Sequence, residues 1–316
     1  CGPFAWFDWV VGHRGFIFNL ACVPIPLESW GYTVGGDRAQ AEIYRRILRE
    51  LEPMAQIKGF GEPEWDWVNL IASFGHYAFH WGSNLSFHSK VPAKEPIKQQ
   101  LRFTPENVDP TIDKYLVVFM TSEGDTMKGP IPFWSGSWFD PNRGKVAMNW
   151  GINPIMAEVT PAMLEYYYTT ATEQDYFFAG VTGAGYTSIK HMTPEQMEDF
   201  AQHTAKAMQH ADLHCVDVWQ WQDYYTDLRW FIEIIQPLGV TILTKRPPEH
   251  VDGVPLAGHN FDYWNTKFNS VAQLAREIES VARGFPRPSI ILIYTDMHNI
   301  SNLPTLHKQI MDSLDP

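Results

Sequence analysis

Apolar runs and amphipathic segments alternate along most of this chain, in the order that predicts strands followed by helices. Residues 114–122, KYLVVFMTS, form the clearest predicted strand, because a nearly continuous apolar run is typical of a buried parallel strand. Further apolar runs predict strands at 15–21, 54–60, 76–81, 145–150, 175–180, 214–220, 239–244 and 288–296. Apolar residues at helical spacing predict helices at 37–52, 62–74, 160–171, 193–211, 225–238, 269–284 and 302–314. Asp37 and the Thr-Pro pairs at 160–161 and 193–194 mark predicted helix starts.

This alternation predicts parallel strands joined by right-handed crossover helices. So many strands favour a closed sheet, and the predicted fold is α/β, a TIM-like (β/α) barrel of seven or eight parallel strands with outer helices. Residues 82–114 break the alternation with segments such as KVPAKEP, which predicts a long loop or a domain boundary there. We interpret residues 1–316 as a single barrel-like domain that contains this segment.

Composition narrows the class of protein. The formal net charge is −12, and no stripe of Lys and Arg is visible, which argues against a nucleic-acid partner. No apolar run approaches the roughly 18 residues that a transmembrane helix requires. Aromatic residues make up 14% of the chain, including 13 Trp. Aromatic faces pack in cores, and they also stack on the apolar faces of sugars, so the count favours a carbohydrate partner.

Carboxylates follow several of the predicted strands. In a parallel barrel, functional side chains collect at the carboxyl ends of the strands. The candidate catalytic residues are Glu123, Asp125, Asp217 and Asp296. Acids that converge push one another's pKa values apart, and the resulting pair suits an oxocarbenium-like transition state. We predict Glu123 as the general acid/base and Asp125 as its partner, although the same residue types also cap helices and hold turns.

Aromatic and amide side chains follow the same strands and predict a sugar-binding platform. The candidate substrate-binding residues are Trp81, Asn149, Trp150, Tyr186, Trp219 and Lys245. Gly183 and Gly185 lack the third glycine of a dinucleotide fingerprint, which makes a nucleotide site a poor interpretation. These glycines instead predict positive φ angles and a close approach of backbone after the strand at 175–180.

Several stretches resemble one known family. FFAGVTGAGYTSIKHM (177–192) is similar to the signature of the GxGYxYP family, with Gly183, Gly185 and Tyr186 in the G-x-G-Y positions and Ser-Ile where the signature has Tyr-Pro. MTSEGDTM (120–127) resembles the family's Ser-Asp-Gly-Asp-Asn segment. Residues 60–87 and 138–180 are also similar to the family's pattern. The resemblance implies a carbohydrate-processing protein with a barrel of the glycoside hydrolase/deacetylase type, and a secreted or periplasmic location.

Alternative functions stay open at this point. Four residues could supply oxygen and nitrogen ligands to a divalent metal in a carbohydrate deacetylase, and these are His80, Asp125, Asp296 and His298. A sugar-binding or structural protein without catalysis fits the departures from the signature. The main prediction is a hydrolase of glycosidic bonds with no cofactor. Cys1 at the start of the sequence also allows a lipoprotein.

Overall fold

The computed structural model describes residues 7–15, 17–29, 31–80, 84–100, 109, 111–122, 134–219, 227–243, 248–263, 270–295 and 301–314. The helices among these residues are α1 (Phe7–Gly12), α2 (Arg38–Glu50), α3 (Glu64–Ser73), α4 (Leu85–His88), α5 (Trp134–Trp138), α6 (Met156–Val159), α7 (Pro161–Thr169), α8 (Pro194–His210), α9 (Arg229–Ile235), α10 (Val271–Ala282) and α11 (Leu303–Ser313). None of them, within the described ranges, combines the length and apolar character needed to cross a bilayer.

The strands form one large sheet and two small ones. They are β1 (Leu27–Ser29), β2 (Tyr32–Val34), β3 (Gln56–Ile57), β4 (Tyr77–Ala78), β5 (Tyr115–Thr121), β6 (Met148–Ile152), β7 (Asp175–Ala179), β8 (Cys215–Val218), β9 (Gly239–Ile242), β10 (Glu249–Val251), β11 (Val254–Gly258), β12 (Phe261–Tyr263) and β13 (Ser289–Thr295). The large sheet has the order β10-β11-β9-β8-β7-β6-β5-β13-β12, and β1-β2 and β3-β4 are separate pairs. Every neighbouring pair in the large sheet is parallel except β10 and β11.

One continuous segment joins the two ends of the large sheet. Its first half is β11, which pairs with β9, and its second half is β12, which pairs with β13. At the junction, His259 N–H donates to Ile242 O (3.1 Å) and Asn260 N–H donates to Leu292 O (2.9 Å), so consecutive residues bond opposite neighbours. Because β11 and β12 share one position, the eight parallel strands occupy seven positions around a closed ring. This confirms the predicted (β/α) barrel.

Side chains alternate between the outside and the inside of this ring. On β5, Phe119 faces outward and stacks on His307 of α11 with ring centroids 4.0 Å apart. The next residue, Met120, faces inward and packs in the same buried cluster as Phe178 of β7 and Tyr294 of β13. The core therefore has an outer layer under the helices and an inner layer within the barrel.

The N-terminal region, residues 17–80, packs at the carboxyl ends of the strands. Leu48 of α2 and Val68 of α3 belong to the same buried cluster as the barrel interior. Ala78 and Tyr186 form an antiparallel bridge, with hydrogen bonds of 2.8 and 3.0 Å between their backbones. The mouth of the barrel is thus partly covered by the N-terminal region.

Some predicted strands do not join the barrel. The prediction of a strand at 15–21 is wrong for the described residues of that segment, which form no ladder. Phe18 packs edge-on against Tyr44 of α2, and Ala21 N–H donates to the Gln40 side chain, so helix α2 provides the partners that a strand would have needed. The runs at 54–60 and 76–81 form only the short pair β3-β4.

The hairpin of β10 and β11 was not predicted from the sequence. Asp252 and Gly253 connect these strands with φ angles of 50° and 84°. Asp-Gly with two positive φ angles is the preferred two-residue hairpin connection, so the signal was present in VDGV.

Candidate functional site at the mouth of the barrel

Asp217 is the centre of a buried polar layer inside the barrel. It lies on β8, is 0% exposed, and accepts three hydrogen bonds. Trp219 Nε1–H donates to Oδ2 (2.6 Å), while Thr241 Oγ1–H (2.6 Å) and His259 Nε2–H (3.2 Å) donate to Oδ1. A carboxylate with this many donors is well satisfied inside the protein. No part of this side chain reaches solvent, and the catalytic role predicted for Asp217 stays a prediction.

The same layer extends to β13 and β5. The His259 ring stacks on the ring of Tyr294, with centroids 5.2 Å apart. The Tyr294 hydroxyl donates to the backbone carbonyl of Ser122, directly after β5. These contacts connect five neighbouring positions of the ring at one level. The positions are β8, β9, the β11-β12 segment, β13 and β5.

Trp219 connects this layer to the surface of the mouth. Its indole is held by Asp217, and its backbone N–H donates to Thr182 Oγ1 (3.1 Å). Thr182 N–H in turn donates to Asp217 O (2.7 Å). Thr182 has a φ of 60°, which is rare for a β-branched residue, and these two bonds fix it in that conformation.

The Gly-x-Gly-Tyr segment docks against both the barrel and the N-terminal region. Gly183 has a φ of 83°, and a Cβ there would overlap Thr204 of α8. A Cβ at Gly185 would overlap the Tyr77 ring and lie 2.8 Å from Ala78 O. Both glycines allow the predicted close approach. The predicted positive φ angle is confirmed for Gly183 and is wrong for Gly185.

Tyr186 follows these glycines and contacts three elements at the mouth. Its ring is edge-on to Trp65 of α3 and to Trp219, with centroids 6.2 Å apart in each case. Its hydroxyl donates to Glu64 Oε1 (2.8 Å), and Glu64 is the first residue of α3. An ionised carboxylate is stabilised at this position because the amino terminus of a helix carries partial positive charge.

A cleft of about 140 Å³ opens between α3 and the signature segment. It is lined by Trp65, Val68, Asn69, Tyr186, Thr187, Ser188, Lys190, His191 and Trp219. Ser188 Oγ and His191 Nδ1 are hydrogen-bonded (3.0 Å), and partial burial, with a smaller contribution from Lys190, lowers the pKa of His191. His191 is therefore neutral at pH 7. Five of the nine lining side chains are polar and three are aromatic. A concave site with convergent polar groups and aromatic rings suits a small polar ligand.

Comparison with known proteins identifies the family. Residues 113–236 match the family model described as "GxGYxYP putative glycoside hydrolase C-terminal domain", and residues 3–90 match the model "GxGYxYP third domain". The two matches together cover more than half of the chain. The chain belongs to the GxGYxYP family.

A solved structure shares the fold of this GxGYxYP protein. A crystal structure described as "a putative hydrolase from Bacteroides thetaiotaomicron VPI-5482" superposes with a TM-score of 0.80 at 19% identity, over 98% of this chain and 60% of that chain. The chain thus spans 60% of the length of that protein. A "putative polysaccharide deacetylase from Mycobacterium smegmatis" matches with a TM-score of 0.45 at 12% identity, over 69% of this chain and 90% of that chain. No curated protein matches.

The predicted platform residues are placed in different surroundings. Tyr186 and Trp219 are brought together at the cleft. Asn149 is half-buried, and its side-chain amide donates to Phe119 O on the neighbouring strand (2.8 Å). Trp150 is 0% exposed in the outer core, where its indole donates to Asp175 (2.8 Å). Alternate residues of a strand face opposite sides, and Trp150 faces the helices rather than the barrel interior. A sugar could therefore reach Trp150 only if the core opened.

The remaining predicted residues lie outside the described part of the chain. They are Glu123, Asp125, Asp296, Trp81, Lys245 and His298. Their roles stay predictions. Among the described residues, no group of three or more His, Cys, Asp or Glu side chains is arranged to hold a metal ion. His80, the described member of the predicted metal set, stacks on Phe60 with centroids 5.2 Å apart.

Most residues of the mouth were not predicted from the sequence. Glu64, Trp65 and Asn69 lie on α3, whereas the predicted residues all follow strands. His259 follows β11, a strand that the pattern did not reveal. The Asp-Gly turn at 252–253 could have located β11 and hence His259, but Glu64 has no local signal that sets it apart.

Proposed function

We propose that this GxGYxYP protein is a carbohydrate-active hydrolase that cleaves glycosidic bonds at the carboxyl end of its barrel. The observation that supports this most is the cleft at the mouth, where two indoles and a phenol meet beside the Asp217 layer. The family description and the barrel fold support the same chemistry. The secreted or periplasmic location implied by the family resemblance belongs to this proposal, because polymeric sugars are met outside the cytoplasm.

Glycoside hydrolysis requires a general acid and a second carboxylate on either side of the scissile bond. Glu123 and Asp125 follow β5 in the sequence, and Asp296 directly follows β13, which is the neighbour of β5 in the ring. We therefore keep Glu123 as general acid/base, Asp125 as its partner and Asp296 as the alternative carboxylate. Asp217 contributes by orienting Trp219 at the cleft.

Glu123→Gln tests the assignment. The variant keeps the shape of the side chain but cannot transfer a proton, so hydrolysis of oligosaccharides by the purified protein should fall about 10²- to 10⁴-fold. Asp125→Asn and Asp296→Asn are measured in parallel to identify the second carboxylate. Reducing-end release from a panel of plant, microbial and animal polysaccharides provides the assay.

Glu173→Gln is the matched control, because Glu173 is exposed and precedes the amino end of β7, on the opposite side of the barrel. It should hydrolyse sugars at the wild-type rate. Full activity of the Glu123 variant would remove Glu123 from the mechanism. Binding of sugars without turnover by the wild-type protein would contradict the proposed hydrolysis and favour a binding protein.

A further inference from the structure

The walls of the cleft between α3 and the signature segment come from two parts of the chain. Trp65 comes from the N-terminal region and Trp219 from the end of β8, and each is edge-on to Tyr186 between them. The volume of about 140 Å³ corresponds to roughly five water molecules. This is below the range of about 300 to 1,000 Å³ of sites for drug-sized ligands, so the cleft suits a ligand group of one ring.

Asn69 gives the cleft an unused polar group. It lies on α3 and lines the cleft, and its side-chain amide makes no hydrogen bond with any residue in the described part of the chain. An amide offers two donors and an acceptor, which is the combination that binds a pair of adjacent hydroxyl groups. Asn69 is only partly buried, so water satisfies it when the cleft holds no ligand.

Glu64 acts on the cleft through Tyr186. It is the first residue of α3 and does not itself line the cleft, but its carboxylate lies 2.8 Å from the hydroxyl of Tyr186, which does. Hydrogen bonds from hydroxyl groups to a carboxylate are stronger than bonds between neutral groups, so Glu64 holds the Tyr186 ring in place.

We propose that this cleft binds one pyranose ring of the substrate, with Trp65 against the ring and with Asn69 bonded to its hydroxyl groups. The proposal rests on the proposed function and names its sugar subsite. Trp219 is 3% exposed and closes the floor of the cleft. The site is built jointly by the N-terminal region and the barrel, and the family signature is the segment that brings the two together. Glu64 is a positioning residue, since its carboxylate holds the Tyr186 hydroxyl.

The experiment measures sugar binding without turnover. The probes are the methyl glycosides of glucose, galactose, mannose and N-acetylglucosamine, together with cellobiose and lactose. Binding is followed by the indole N–H resonances of Trp65 and Trp219, which Trp65→Phe and Trp219→Phe assign. At least one probe should shift both resonances. Asn69→Ala should weaken its binding about 3- to 10-fold and Glu64→Gln about tenfold or more.

Two control variants match these changes. Glu62→Gln alters an exposed glutamate two residues before Glu64 that also accepts from a tyrosine, at 2.6 Å. That tyrosine, Tyr32, does not line the cleft, whereas Tyr186 does. Asn302→Ala alters an exposed asparagine whose side chain makes no capping hydrogen bond. Both should bind the probe within twofold of wild type, and all four variants should keep the wild-type unfolding midpoint within a few degrees.

The outcomes separate this site from the proposed reaction. Sugars that bind and shift the two indoles but are never cleaved support the site and contradict the hydrolysis. Wild-type binding by both Asn69→Ala and Glu64→Gln overturns the site, as does a panel in which no probe shifts the indoles. Hydrolysis with unchanged kcat/KM in both variants also overturns the site, while the proposed function stands.

Discussion

At the scale of single residues, His307 is the clearest case of a buried group without a partner. It is 1% exposed on α11 and stacks on Phe119, and neither ring nitrogen has a hydrogen-bond partner among the described residues. Burial lowers the pKa of His307 from 6.5 to about 3. An imidazole in this setting remains neutral and contributes mainly as an aromatic ring.

His307→Leu should therefore stabilise the protein, and more so in acid. Between about pH 6.5 and pH 3 the unfolded chain binds a proton on His307 that the native state does not, so native stability falls as pH falls. The leucine variant has no group that titrates at this position, so it does not lose stability in this way as pH falls. The gain in free energy of unfolding should be about 2 kcal/mol larger at pH 5 than at pH 8, measured by urea denaturation. A pH-independent difference would show that the pKa of His307 is the same in the native and unfolded states, and would contradict a buried neutral ring.

Residue types alone did not decide which side chains reach the mouth. Asn149 and Trp150 are adjacent on β6, and a strand must turn one of them inward and the other toward the helices. The sequence places both after the same apolar run, with no sign of which faces which side. Tyr186 and Trp219 lie close together because they follow β7 and β8, which end at the same edge of the sheet. Their role in binding a sugar stays a prediction.

At the scale of elements, caps and packing surfaces determined what could be predicted. Asp37 caps α2 by accepting from Gln40 N–H, and Thr193 forms a capping box with Gln196, so both helix starts are confirmed. The failed strand at 15–21 has the same apolar composition as a true strand. Whether such a run joins a sheet depends on distant partners, here α2, which a local pattern does not contain.

Gly185→Ala tests the docking of the signature segment against β4. The added methyl group would overlap Tyr77 and press on Ala78 O, so the bridge between Ala78 and Tyr186 has to shift. We expect a loss of about 1–3 kcal/mol in the free energy of unfolding, as for other overpacked sites. Gly35→Ala is the control, because a Cβ there meets nothing within 4 Å.

The control should change stability by less than about 0.5 kcal/mol. If Gly185→Ala were equally neutral, the close approach of the signature to the N-terminal region would not exist in solution. The probe-binding assay of the cleft, applied to the same variant, should also show weaker binding because Tyr186 moves with this segment.

At the scale of the whole molecule, the N-terminal region and the barrel share one buried cluster. Leu48 of α2 is 1% exposed and belongs to the same cluster as the inward residues of β7 and β13. The prediction of a single domain over residues 1–316, with a loop or boundary at 82–114, can be tested through this shared core.

Leu48→Ala should destabilise both parts together. The lost contacts and the cavity cost about 2–5 kcal/mol, and a single cooperative unit distributes that loss over all of its amides. Hydrogen exchange resolved by peptide should show equal loss of protection in α2 and in β5 and β13. Loss confined to α2 and α3 would instead divide the chain into two domains.

The position of β13 determines when the ring can close during synthesis. This strand lies between β5, the first strand of the ring, and β12, yet it follows all the other described strands of the ring in the sequence. A nascent chain that ends before residue 289 therefore exposes two unpaired strand edges, which are the surfaces most prone to wrong pairing. The ring can close only after residues 289–295 have left the ribosome, and until then chaperones that shield strand edges have most to protect.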